Sequence, residues 1–347
     1  MDSEGRAGPH GSGRPRPRSA PPVFAALDLG TNNCRLLLAA PDGAGGFRVV
    51  DGYSQIVRLG EGLAASGRLA DTAMARAYQA LGACAARIEA RAPVAVGCIA
   101  TQACRIAANG PSFLARIEKD FGLRFDIISQ EEEAKLSVLG CASLLDPTFE
   151  TALIVDIGGG STELSVVSPR DVLASLASGE LDPPIMSWGS AQLGVVTVAE
   201  EDSEPEIGKE QWYEEKVADL VARLSSLGDP SLRAAFEQGR AHIVGTSGAV
   251  TSLAGVHLGL KRYLRSRVDG LWMTGEECRA TIKQLLLQGP EARATNSCIG
   301  KDRADLVVPG GAILDAVLRL WPAERVRVAD RGLREGVLMR LIAAHKP

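Results

Sequence analysis

The sequence predicts an α/β fold of two similar domains, with helices packed on aliphatic sheets. Two stretches of the 347-residue chain and its composition predict it. The first stretch, Ala152 to Val167, reads as a buried strand ending at Asp156 and a turn through Gly158, Gly159, Gly160 and Ser161. A second strand then leaves through Thr162 and Glu163. The other stretch, Phe24 to Leu38, repeats the design with Asp28, then Gly30, Thr31, Asn32 and Asn33, then Arg35. Slid over one another, Asp28 matches Asp156, Gly30 matches Gly158 and Arg35 matches Glu163. One Gly-rich hairpin is commonplace, but two of matching form, each opening one half of the chain, indicate duplicated domains. Hydrophobic residues make up 46% of the chain and aromatics only 4%, which suits helices on sheets of Ala, Leu and Val.

Such turns have a chemistry. Without a Cβ, glycine lets backbone N–H groups approach an anion closely. The flanking acids Asp28, Asp156 and Glu163 can hold a hard cation or orient a water beside that anion. Two such hairpins suggest two domains closing on one phosphate-bearing ligand.

In chain order, residues 1–22 are Gly, Pro, Ser and Arg without apolar periodicity and read as a disordered tail. A first domain is expected over 23–140 and a second over 141–347, with the terminal helix 331–347 a candidate to pack back on the first. Strands follow the first hairpin at Phe47–Tyr53 and, past a helix from Asp71 to Ala90 capped by Asp71, at Val94–Ala100. Thr101 then reads as the cap of a short helix carrying Arg105, either a surface arginine or one aimed at the mouth of the sheet. After a strand at Phe125–Ile128, Ser129 and Glu132 have capping-box spacing at the head of the next helix. A carboxylate there, past a strand's carboxyl end, is also placed to act as a base. Residues 168–208 are hard to read, and Gln211–Leu227 is an amphipathic helix. The strand Ala241–Gly245 turns into a helix through Ser247 and Gly248, presenting N–H groups to an anion; His242 belongs to strand packing. Lys261, Arg262, Arg265 and Arg267 are a solvated face or part of a positive channel. A helix at Ala312–Leu320, a strand at Val326–Val328 and a terminal helix to about Ala344 complete the chain.

A formal charge of −4 argues against DNA binding. No apolar run reaches membrane-spanning length, so no membrane segment is expected. The seven cysteines lack CxxC or Cys/His clustering and read as reduced core residues of a cytoplasmic protein.

These residues resemble the Ppx/GppA family, the exopolyphosphatases and guanosine pentaphosphate phosphohydrolases of the actin-like ATPase superfamily. The matching segments are DLGTNNCRLLL at 28–38, ATQACRIAAN at 100–109, SQEEEAKL at 129–136, VDIGGGSTEL at 155–164, GTSGAVTSL at 245–253 and DRGLREG at 330–336. The resemblance implies two ribonuclease-H-like domains with the active site in the cleft between them. It implies hydrolysis of a terminal phosphoanhydride with Mg²⁺ or another divalent cation. The base falls on Glu132, the phosphate-facing arginine on Arg105, and the phosphate loops on Gly30–Asn33 and Gly158–Ser161. Its metal-side acids fall on Asp156 and Glu163. Gln130 and Glu131 stand where members often have Gly and Asn, so Glu131, Glu132 and Glu133 compete for the base. Longer members carry a C-terminal HD-type domain not found in this sequence.

The expected substrate is inorganic polyphosphate, with guanosine pentaphosphate the alternative and guanosine tetraphosphate a candidate inhibitor. Rival readings are a sugar or acid kinase and a non-catalytic alarmone sensor. A homodimer is expected. Arg35, Arg105 and the 261–267 cluster are expected to make the cleft positive.

Overall fold

The computed structural model describes residues 21–43, 46–227 and 230–345, so the expected tail lies almost wholly outside them. Eleven strands are described: β1 (Phe24–Leu29), β2 (Asn33–Pro41), β3 (Phe47–Ile56), β4 (Ala95–Ala100), β5 (Phe125–Ile127), β6 (Thr151–Ile157), β7 (Thr162–Val167), β8 (Ser187–Ala191), β9 (Ala241–Thr246), β10 (Trp272–Met273) and β11 (Val326–Ala329). They form two sheets, ordered β3-β2-β1-β4-β5 and β10-β11-β9-β6-β7-β8. In each, an antiparallel hairpin meander is followed by parallel strands, β4 and β5 in one and β9 and β11 in the other. Read outward from its first strand, each sheet has the same order, with β10 added at one edge. These are two ribonuclease-H-like domains.

Side-chain alternation sets the layers. On β1, Ala25, Leu27 and Leu29 join a core with the helices Asp71–Arg91 and Gly110–Phe121, while Phe24 and Ala26 pack with Leu338 and Ile342 of the terminal helix Leu333–Ala344. On β6, Leu153, Val155 and Ile157 join the largest core, which includes the helices Lys209–Leu224 and Val307–Leu320. Ala152 and Ile154 pack instead with Val138 and Cys141 of the helix Gln130–Cys141. The period of two therefore puts Asp28 and Asp156 on the faces that look toward this helix pair.

Those two helices cross at glycines. A Cβ on Gly140 would lie 1.8 Å from Gly332 O, and one on Gly336 would lie 2.2 Å from Leu136 O. Only backbone fits at the crossing, and it ties the helix Gln130–Cys141 to the helix Leu333–Ala344.

Local expectations are corrected at several points. Asp71 is the first helical residue and caps nothing; Ala70 holds the N-cap position. Ser129 does cap its helix by accepting from Glu132 N at 3.1 Å. The hard-to-read region contains the helix Pro169–Ala177, β8 and the helix Val195–Glu201. The helix expected from Ala312 starts at Val307, because Gly310 and Gly311 are held by packing against Ala249, Val195 and Ile282.

Gly140→Ala forces backbone apart at the crossing, so a loss of about 1–3 kcal/mol of unfolding free energy is expected. Gly82→Ala, inside the helix Asp71–Arg91, meets only the Phe121 ring at 3.3 Å and gains helix propensity of up to about 1 kcal/mol. Urea unfolding of the two variants should move the midpoint down for the first and leave it level or higher for the second.

Candidate active site

The two hairpins are built alike. Gly30 N donates to Asn33 O at 2.9 Å, and Gly158 N donates to Ser161 O at 2.8 Å. Asp28 pairs across the ladder with Arg35, and Asp156 with Glu163. Opposite residues of an antiparallel pair share a face, so each hairpin presents two charged groups to the cleft side. Beyond them the rows continue to Ser54 on β3 and Ser190 on β8.

The turns meet. A Cβ on Gly159 would lie 2.8 Å from Asn32 N and 3.0 Å from Thr31 Cβ, and one on Gly160 would lie 2.0 Å from Gln102 Oε1. Neither glycine has a positive φ, so glycine is required here by close approach and not by a left-handed backbone. Ser247 is different: its φ is 91°, a strained value for a residue with a Cβ, at the head of the helix Ser247–His257.

A cleft of about 820 Å³ lies between the domains. Gly30, Thr31, Asn32, Asn33, Gly158, Gly159, Gly160, Ser161, Ser247 and Gly248 all line it, as do Asp28 and Asp156. Glu163 sits just behind the wall, 3% exposed, accepting from Ser190 Oγ at 2.8 Å, and Ser190 accepts in turn from Gln130 Nε2 at 3.1 Å. Asp156 accepts from Ser137 Oγ at 2.9 Å.

The three adjacent glutamates have different surroundings. Glu131 pairs with Lys135 on the surface. Glu132 lies off the cleft wall, 35% exposed, and pairs with Arg340 of the terminal helix. Its carboxylate serves the crossing of the two helices. Glu133 lines the cleft, is only 9% exposed, and pairs with Arg105 at 3.3 Å. Arg105 also donates to Ile128 O at 2.7 Å, while its Nη2 is buried without a partner. Arg105 thus reaches the glutamate and does not itself line the cleft.

Burial dominates the electrostatics. It pushes the Asp28 carboxyl up to about 6, against the pull of Arg35 and Arg334. It pushes Glu163 up to about 7, with Asp156 adding to the rise and Ser161 and Ser190 opposing it. Asp156 is raised by burial, and Glu133 is raised well above the usual carboxylate range by burial and then by Glu163. Carboxylates crowded in a poorly solvated site cannot all ionise.

Five arginines line the same cleft: Arg35, Arg265, Arg303, Arg331 and Arg334. Of the expected basic cluster, only Arg265 reaches it; Lys261, Arg262 and Arg267 do not. Arg303, Arg331 and Arg334 escaped the sequence reading, although the last two stand in the DRGLREG segment.

The donors fit a divalent cation held together with a ligand. Among the described residues, no three His, Cys, Asp or Glu side chains gather as a complete metal cage. Yet Asp28 Oδ1, Asn32 Oδ1 and Asn33 Oδ1 are buried oxygens without partners. Mg²⁺ keeps several waters and binds through one or two carboxylates plus phosphate oxygens, which suits this set.

The Ppx/GppA phosphatase family model matches residues 39–345. The chain belongs to the Ppx/GppA phosphatase family. It is therefore a phosphoanhydride hydrolase. It is 28% identical over 332 residues to exopolyphosphatase 2 of Mycobacterium tuberculosis, covering 91% of this chain and 98% of that one. The solved Ppx/GppA enzyme of Aquifex aeolicus is 25% identical with a TM-score of 0.73, over 92% of this chain and 99% of that one. An exopolyphosphatase from Cytophaga hutchinsonii shares the fold, with a TM-score of 0.80 at 21% identity over 93% and 99% of the two chains. Among the described residues, no helix of this Ppx/GppA protein is long and apolar enough to cross a membrane.

Linkage gives a signed expectation for this Ppx/GppA enzyme. Asp28 and Glu163 keep protons in the fold that the unfolded chain releases in the usual carboxylate range. Without divalent cations, stability should therefore fall as pH rises through about 6 and about 7. Thermal unfolding between about pH 4 and about pH 8 checks it, and added Mg²⁺ should flatten the fall.

Proposed function

We propose that the protein is an exopolyphosphatase that releases terminal orthophosphate from inorganic polyphosphate, with Glu133 as the base. The carrying observation is Glu133 itself: a buried carboxyl with proton affinity raised by its surroundings, on the cleft wall that both glycine turns share. Burial and then Glu163 raise that affinity above the usual carboxylate range, and a higher affinity makes a carboxylate a stronger proton acceptor. The name of the mycobacterial relative, exopolyphosphatase 2, supports the substrate class.

The terminal phosphoryl group sits between the turns, held by backbone N–H groups of Gly30–Asn33 and Gly158–Ser161. Ser247 and Gly248 supply the end of a third element, where helix N–H groups face the anion. Glu133 accepts the proton of the attacking water, and Arg105 keeps the carboxylate in place. A divalent cation, Mg²⁺ by the chemistry of the donors, would be held by Asp156 and Asp28 with Glu163 behind, and would offset charge on the phosphate oxygens. The cleft arginines do the same work along the chain of phosphates. Phosphoryl transfer is largely positioning and electrostatic stabilisation, so turns, cation and one base suffice.

Guanosine pentaphosphate is the second reading. One observation favours it: the cleft extends past the phosphate turns to Tyr263, Ile299, Leu306 and Val307, an apolar wall that a bare phosphate chain does not need. The sensor and kinase readings draw no comparable support.

Glu133→Gln should lower kcat by ~10²–10⁴-fold with unfolding unchanged or improved, because a buried acid is removed. Glu132→Gln should stay within about threefold in kcat and cost stability through Arg340, worth roughly 0.2–1 kcal/mol. The reverse pattern in orthophosphate release would return the base to Glu132. Comparing kcat/KM on tripolyphosphate, long polyphosphate and guanosine pentaphosphate, with and without Mg²⁺, decides the substrate.

A further inference from the structure

The loop 57–62 leaves β3 beside the first glycine turn, and the chemistry above gives it no task. It is bonded to that turn's backbone. Asn32 O accepts from Val57 N at 2.8 Å and from Arg58 N at 3.0 Å, and Thr31 O accepts from Gly60 N at 2.9 Å. A Cβ on Gly60 would lie 2.3 Å from Thr31 Cγ2, so loop and turn are packed as one unit. From the helix Asp71–Arg91, Arg76 donates to Val57 O at 2.8 Å and to Arg58 O at 3.3 Å. Arg58 itself has a φ of 45°, in the left-handed region that a residue with a Cβ seldom occupies.

Both ends of this loop are also bonded to the second domain. Arg58 donates to the two carboxylate oxygens of Asp305, each at 2.8 Å, and to Asp302 O at 3.1 Å. Those acceptors flank Arg303, which lines the cleft. At the loop's other end, Gly62 N donates to Glu200 Oε1 at 3.0 Å. Glu200 belongs to the helix Val195–Glu201, whose first residues reach the other glycine turn. Val195 N donates to Gly158 O at 3.0 Å, and Val196 N donates to Gly159 O at 2.8 Å. A chain of contacts therefore runs from Thr31 and Asn32, through the loop and across the domain boundary, to Gly158 and Gly159. A phosphoryl group gripped by both turns needs them at one separation. Contacts that hold that separation beforehand lessen the ordering that binding must supply.

We propose that Arg58 is a positioning residue: with Glu200 it straps the loop 57–62 of the first domain to the second, and so sets the spacing of the two glycine turns. The proposal rests on both turns gripping one phosphoryl group, as in the reading above.

Orthophosphate release from tripolyphosphate and small-angle scattering of the ligand-free chain test it. The variants are Arg58→Ala, Asp305→Ala, these two combined, and Arg58→Ala combined with Glu200→Ala. The Arg58 and Asp305 side chains are 31% and 49% exposed, so the pair is individually weak. Arg58→Ala should raise KM by about twofold to fivefold, because apparent affinity falls with the population of the closed form. Its kcat should stay within about twofold, since the occupied cleft reaches the same geometry. A merely structural contact would instead lower the unfolding midpoint or kcat and leave KM unchanged, and that result overturns the proposal. Arg58→Ala with Asp305→Ala should match the worse single variant; KM effects that multiply overturn it. Arg58→Ala with Glu200→Ala should enlarge the radius of gyration of the ligand-free chain, and tripolyphosphate should restore it. Scattering equal to the parent's overturns the strap. If that variant expands while the parent releases no orthophosphate from any phosphoanhydride, the exopolyphosphatase reading fails and the strap stands.

Discussion

The structure turns on desolvated carboxylates. Asp28, Glu133, Asp156 and Glu163 are brought together at the cleft between two aliphatic domains, where burial raises the proton affinity of every one. Alone, such a cluster opposes folding, because like charges in low dielectric cannot all ionise. The surroundings answer with Ser137, Ser190 and Arg105 on the protein side and with a cleft open to cation and phosphate. The same crowding favours any cation that can share these carboxylates, since a positive charge offsets the repulsion among them.

Duplication supplies the geometry. Both sheets place an acid at the end of the first strand, and both turn through backbone that only another turn can approach. Because the side-chain period is two, Asp28 and Asp156 necessarily face the same layer, the helix pair Gln130–Cys141 and Leu333–Ala344. That pair crosses through Gly140 and Gly336 with backbone in contact. The terminal helix is thereby built into the site: Arg334 and Glu335 reach the cleft from Leu333–Ala344, at the far end of the sequence from Asp28.

Charge distribution resolves the tension between an acidic chain and an anionic substrate. The net charge is −4, yet five arginines line one cleft. Glu335, Asp330 and Glu133 are occupied with Arg265, Tyr263 and Arg105. Local field, not overall charge, governs what enters such a cleft.

The sequence by itself determined the duplicated hairpins, the α/β class and the identity of the turns, because Asp-x-Gly between apolar runs is a local signal. It also placed Ser129 as a cap, since capping depends on a few neighbouring residues. It could not choose among Glu131, Glu132 and Glu133. The helix they open is buried on nearly every side, including Ala134, Leu136, Val138, Leu139 and Cys141, so periodicity names no single inward face. Tertiary structure sets their surroundings: Arg340 pairs with Glu132 from the terminal helix, and Arg105 pairs with Glu133 on the cleft wall. Arg303, Arg331 and Arg334 became visible for the same reason. A charged side chain's direction depends on what packs beside it, and that is fixed only when distant segments meet.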